Sequence, residues 1–123
     1  MVIALAEGEK AEEALSALGF SLSEDERPTR FVLLHGDGRR IDFHTVVFDD
    51  EGGGVQRLQD GRSYRYPPEG FAGEGVIGGH AVRCLTAEVQ LECHLGYEPG
   101  ETDRHDMQLL AERFALRLPT AYR

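Results

Sequence analysis

Asp42 and His44 are the residues of this chain best placed to do chemistry. They stand two apart in a run that alternates apolar and polar residues, so a strand would project both from one face. A carboxylate beside an imidazole can pair as acid and base, or hold a divalent ion through the carboxylate. The pattern alone also fits an Asp–His hydrogen bond on a solvated sheet face. A second group lies further on, where Gln90, His94 and Tyr97 are candidate contacts for a small-molecule ligand. On a helix Glu88 and Glu92 line one stripe and Gln90 and His94 another, which equally describes a solvated helix face.

Other chemistries find no support. Cys84, Cys93 and His94 match no compact zinc spacing and lack an evident fourth ligand. Gly73-x-Gly75 and Gly78-Gly79 lack the spacing of phosphate- or dinucleotide-binding loops and read as turns. No Gly-x-Ser-x-Gly and no His-Glu-x-x-His occurs. Asp103, His105 and Asp106 fall in the first turn of a helix, where acidic residues suit the dipole.

The elements that must position these residues follow from periodicity and punctuation. Residues 2–6 form an apolar run expected as a buried strand. Residues 9–18 predict a helix with Ala11, Ala14, Leu15 and Leu18 on one face, ended by Gly19. Phe20 and Leu22 suggest a short extended piece, and residues 23–28 a polar loop. Residues 30–35 and 39–48 read as strands joined by a tight hairpin at Asp37-Gly38. Ile41, Phe43, Thr45 and Val47 then point one way, and Asp42, His44, Val46 and Phe48 the other. The stretch 55–72 looks irregular, with short strands near 55–58 and 63–66. A second hairpin is expected over 73–84 about Gly78-Gly79. A helix over 87–95 follows, with Thr86 as N-cap and Gly96 at its end. The last helix is expected to start at a Thr102 or Asp103 cap and run to residue 116. Its apolar face would be Met107, Leu110, Ala111 and Phe114, with Pro119 allowing nothing further. The order implies an α+β domain with a mixed or mainly antiparallel sheet.

With 123 residues the expectation is one domain, 1–123. Asp and Glu number 22 against 13 Lys and Arg, a net charge of −9, which argues against a binder of nucleic acid held by phosphate contacts. No stretch approaches a membrane span, and no signal segment is recognisable at the N-terminus, so a cytoplasmic protein is expected. Two cysteines are too few for a disulfide framework.

Several strings carry a resemblance. They are Gly38-Arg-Arg-Ile-Asp-Phe-His44, Val47-Phe-Asp-Asp-Glu-Gly-Gly-Gly54, Arg83-Cys-Leu-Thr-Ala-Glu-Val-Gln90 and His94-Leu-Gly-Tyr-Glu98 with Asp103-Arg-His-Asp106. Together they resemble small bacterial aminoglycoside and lincosamide nucleotidyltransferases of the polymerase-beta-type superfamily. The resemblance runs nearly the whole chain. It implies a strand carrying an Asp-x-Asp pair and a third carboxylate on a neighbouring strand, the three holding magnesium and a nucleoside triphosphate. Asp42 falls at that third carboxylate, which implies a metal ligand and a base toward an acceptor hydroxyl.

The sequence departs from that pattern at its start: residues 1–5 resemble the strand after the Asp-x-Asp pair, and no acidic residue precedes Glu7. Two-metal phosphoryl transfer needs several carboxylates. The expectation is therefore a truncated nucleotidyltransferase-like fold with a mixed sheet, helices packed on it and two C-terminal helices. It would bind a small molecule without being a competent adenylyltransferase, with Asp42 and His44 available for metal-free acid–base chemistry. Magnesium would be a cofactor only if transferase activity remains. Two alternatives stand beside this: a truncated or relic antibiotic nucleotidyltransferase, and a dimeric interaction module. A free edge on the first strand leads to the expectation of a homodimer.

Overall fold

The computed structural model describes all residues, Met1–Arg123, which form two compact units, Met1–Tyr66 and Pro67–Arg123.

The first unit is built on a six-stranded mixed sheet. Strand β1 (Val2–Ala4) leads through a 3-10 turn, Leu5–Glu7, into helix α1 (Gly8–Ser16). Then come β2 (Phe20–Glu26), β3 (Arg30–His35), β4 (Arg40–Phe48), β5 (Gly54–Arg57) and β6 (Ser63–Tyr66). The order β2-β3-β4-β5-β6 is antiparallel throughout, and β1 joins β4 in parallel. The α+β class and mixed sheet read from the sequence are thus what the chain forms.

Alternation along β3 and β4 decides what is core. Phe31 lies opposite Phe43 and Leu33 opposite Ile41. The two phenyl rings stack with centroids 4.7 Å apart. Phe20, Phe31, Leu33 and Phe43 form the buried cluster, and Ala11 and Leu15 of α1 pack on it with Ile3 and Ile41. The helix therefore covers the Phe43 face. The odd-even partner face, carrying Arg30, Val32, Asp42, His44 and Val46, looks the other way.

Three expectations in this unit are corrected. The first strand ends at Ala4, not at residue 6, because Leu5 and Ala6 wind into the turn before α1. A short apolar run is compatible with either conformation. The helix spans Gly8–Ser16 and not 9–18, with Gly19 beyond it at φ +92°. The expected polar loop at 23–28 is mostly strand: β2 continues to Glu26 through a register shift between Leu22 and Glu24. Its charges are matched across the sheet by Arg30, which ion-pairs with both Glu24 and Glu26.

The second unit begins with a 3-10 turn, Pro68–Phe71, then the hairpin β7 (Gly73–Ile77) and β8 (His80–Cys84). Ile77 pairs with His80 around Gly78 and Gly79, both at positive φ, as a two-residue type I′ turn requires. Helices α2 (Ala87–Glu92) and α3 (Glu101–Phe114) follow. Thr86 caps α2, its hydroxyl accepting from the Val89 N–H at 3.4 Å. Ala87, Val89, Met107, Ala111 and Tyr122 are buried.

The last helix differs from expectation at both ends. Gly100 is its N-cap, and Asp103 sits within the first turn, where its carboxylate accepts the Gly100 N–H at 2.9 Å. Phe114 is 56% exposed, not core. It is the last helical residue, and Ala115 turns left-handed at φ 54° immediately after it. Pro119 does not end the structure. It starts a 3-10 turn, Thr120–Tyr122, that buries Tyr122. The second helix is shorter than expected, ending at Glu92.

Candidate functional site

The hairpin register places the site. The turn after His35 sets Leu34 against Arg40, and counting back sets Val32 against Asp42 and Arg30 against His44. On its other edge, β4 holds β1 with Val2 opposite His44, and the His44 N–H donates to the Met1 carbonyl at 2.7 Å. Asp42 and His44 therefore stand on a strand bonded along both edges, a stiff platform.

The structure brings the two side chains together as expected, both 40% exposed and hence reachable. Their nearest atoms, His44 Nε2 and Asp42 Oδ1, are 3.8 Å apart, too far for a direct hydrogen bond. The two carboxylate oxygens of Asp42 differ. Oδ2 accepts from Arg30 Nη1 at 3.1 Å. Oδ1 is buried and accepts no hydrogen bond. An unmatched carboxylate oxygen is costly, so its presence calls for an explanation.

Arg30 is the hub of this face. Besides Asp42 it donates from Nη2 to Glu24 at 2.6 Å and from Nε to Glu26 at 2.8 Å. His44 makes its other contact through Nδ1, 3.1 Å from Gln56 Nε2. Gln56 also donates to the Thr29 carbonyl at 3.0 Å and accepts from the Tyr66 hydroxyl at 3.2 Å. Burial holds the His44 imidazole below its ordinary pKa, against the pull of the Asp42 carboxylate. Burial thus favours the uncharged ring.

A resident magnesium ion does not fit this donor set. The ion wants near-octahedral oxygen ligation. Asp42 offers one unengaged oxygen, with a guanidinium on the other, and the same guanidinium also binds Glu24 and Glu26. No group of three or more His, Cys, Asp or Glu side chains is arranged to hold a metal ion anywhere in the chain.

Gln90, His94 and Tyr97 belong to the second unit. Gln90 Nε2 donates to the Leu85 carbonyl at 2.9 Å. His94 Nδ1 lies 2.8 Å from the Gln90 carbonyl. A carbonyl only accepts, so Nδ1 carries a proton and donates it. The Tyr97 hydroxyl donates to Asp103 Oδ1 at 3.1 Å, and burial pushes its pKa up. All three side chains thus hold local structure at α2 and the start of α3.

A groove of about 570 Å³ runs along α1 and β2, lined by Glu9, Glu12, Glu13, Phe20, Leu22 and Arg27 among others. It belongs to the helix-covered side of the sheet. Asp42 and His44 point from the opposite face, so the groove is no part of their site.

Sequence reasoning missed Arg30, Gln56 and Tyr66. For Arg30 a signal existed: a hairpin turning at Asp37-Gly38 with Leu34 opposite Arg40 also sets Arg30 opposite His44. Gln56 and Tyr66 come from a later hairpin in a stretch read as irregular, and nothing local tied them to β4.

Comparison with known proteins gives three findings. The aminoglycoside-2''-adenylyltransferase family model matches residues 5–110. A lincosamide resistance protein of Staphylococcus haemolyticus is 28% identical over 102 residues, 83% of this chain and 63% of that protein. The chain therefore spans less than two thirds of that relative's length. The lincomycin-bound crystal structure of the lincosamide antibiotic adenylyltransferase LnuA superposes with a TM-score of 0.73 at 26% identity, covering 89% of this chain and 68% of that one.

Proposed function

This chain belongs to the aminoglycoside-2''-adenylyltransferase family, and from that premise we propose that it binds a hydroxyl-bearing small molecule of the antibiotic class at the Asp42–His44 face of β4. Its residues supply the acceptor half of a nucleotidyl-transfer site: they orient the hydroxyl and take up its proton. The carboxylates on this face, Glu24, Glu26 and Asp42, are tied to Arg30 and form no metal-holding group, so these residues by themselves do not transfer a nucleotidyl group.

The observation that carries the reading is the state of Asp42. One oxygen is fixed by Arg30 and the other is left without a donor beside His44. An incoming hydroxyl provides the missing donor. That oxygen is sheltered, so the half-exposed side chains must ease apart on binding. The similarity to a lincomycin-bound structure supports a ligand of this kind. A cytoplasmic homodimer is part of the proposal, since β1 pairs with β4 alone. Light scattering that finds only monomer at every concentration would remove the dimer.

The test is a thermal-shift titration with lincomycin and with an aminoglycoside, alongside a pyrophosphate-release assay with magnesium and ATP. A ligand of the native state raises its melting temperature by mass action. The expected result is a rise with antibiotic alone, lost in Asp42→Asn, and no pyrophosphate. Release of pyrophosphate that depends on magnesium and antibiotic would favour the second reading, a working transferase, which family membership supports. No response to any hydroxylated antibiotic would sink the binding reading.

A further inference from the structure

Gln56 is 4% exposed, and its amide has no choice of orientation. One end lies 3.0 Å from the Thr29 carbonyl, which also accepts the Thr45 N–H at 3.2 Å. A carbonyl only accepts, so that end is the NH2 group. The Tyr66 hydroxyl, 3.2 Å from Oε1, completes the amide. The second N–H of Gln56 is left facing His44 Nδ1 at 3.1 Å. A donor there requires a lone pair on Nδ1, which puts the single proton of the neutral ring on Nε2. Nε2 is the nitrogen turned toward Asp42 Oδ1.

We propose that Gln56 is a positioning residue: it fixes His44 as an Nε2–H donor, so that Asp42 Oδ1 and His44 Nε2 form an acceptor–donor pair matched to a neutral hydroxyl. The proposal deepens the binding reading and rests on it. A hydroxyl donates once and also accepts, so an oxygen lodged beside the 3.8 Å gap satisfies both partners. An ammonium group only donates: it could bind Oδ1 but would leave the Nε2–H without an acceptor. The site thereby selects a ligand's hydroxyl groups over its amines.

The experiment reads the His44 ring nitrogens directly, by long-range proton–nitrogen NMR of 15N-labelled protein at pH 8. The wild type should show a bare, pyridine-like Nδ1 and a protonated Nε2. Gln56→Glu replaces the donor with an acceptor and should move the proton to Nδ1. It should also weaken lincomycin binding by about tenfold, the value of one hydrogen bond of about 1.4 kcal/mol. Should Gln56→Glu fail to fold, Gln56→Met removes the donor, and its Nδ1 signal should shift toward the mixture of a free imidazole. A protonated Nδ1 in the wild type overturns the proposal, as does a variant ring pattern identical to wild type. Wild-type tautomer as expected with no lincomycin response would instead overturn the binding reading.

Discussion

Arg30 holds three carboxylates at once, from Glu24, Glu26 and Asp42, at 2.6–3.1 Å. A planar fork with five N–H donors can satisfy that arrangement, and a lysine ammonium cannot. Arg30→Met would leave the three carboxylates crowded together, with Arg40 3.5 Å from Glu24 and the Met1 ammonium beside Asp42 as the remaining cations. The partners are 36–40% exposed, so water screens the loss. The expected cost is on the order of 1 kcal/mol, read as a lower urea midpoint with an unchanged slope. Arg30→Lys should recover part of the stability and none of the ordering of Asp42. Equal midpoints for all three proteins would show that Arg30 does not hold this face together. The same substitution tests the role of Asp42 in binding, because it frees the second carboxylate oxygen.

At the scale of elements, the β3–β4 hairpin carries both the core and the site. Phe43 on one face stacks on Phe31 and packs under α1, while Asp42 and His44 project from the other. Phe43→Ala should cost about 3–5 kcal/mol by cavity formation, enough to unfold the first unit in a calorimetric scan. A milder loss with lincomycin binding intact would show that the strand keeps its register without the stack. This hairpin was also the most legible part of the sequence. A strict period of two and an Asp-Gly turn gave its strands, its faces and the Asp42–His44 pair, because local rules govern all three. Legibility failed where long-range matching decides. Residues 23–26 read as loop because the arginines that match Glu24 and Glu26, Arg30 above all, are met across the sheet. Gln56 reads as an ordinary polar residue until β5 brings it to His44. Phe114 fits a helical stripe, but the chain turns left-handed beside it and leaves it in water. Helix ends shifted by a few residues for a related reason: caps depend on which side chain reaches back, as Asp103 does to Gly100.

For the molecule as a whole, charge sets the response to acid, and two effects oppose each other. At pH 7 the net charge of −9 repels itself. Lowering the pH toward the isoelectric point near 4.9 relaxes that repulsion. Below it, individual carboxylates begin to lose their partners. Hydrogen bonds from Arg27 and Arg62 depress the pKa of Asp25 and Asp60, and the backbone N–H of Arg39 does so for Asp37. The Arg65 side chain, aided by the Gly53 and Glu51 N–H groups, brings Asp49 from 3.8 down to about 2. A pKa lower in the folded chain than in the unfolded one means that protons bind the unfolded chain more readily. The stabilisation is then complete above 3.8 and disappears as the pH falls from 3.8 through about 2. The melting temperature should therefore pass through a shallow maximum near pH 5 and fall steeply below pH 4. Asp49→Asn keeps a carbonyl for the turn and removes the titrating charge. It should melt lower than the wild type at pH 7, with the difference closing as the pH drops through 3.8 to about 2. Added salt should shrink the same difference at pH 7, since these pairs lie at the surface and are screened. A gap between wild type and Asp49→Asn that stays constant from pH 7 to pH 2 would assign its cause to the lost turn geometry, and the Arg65 pair would carry none of the acid response.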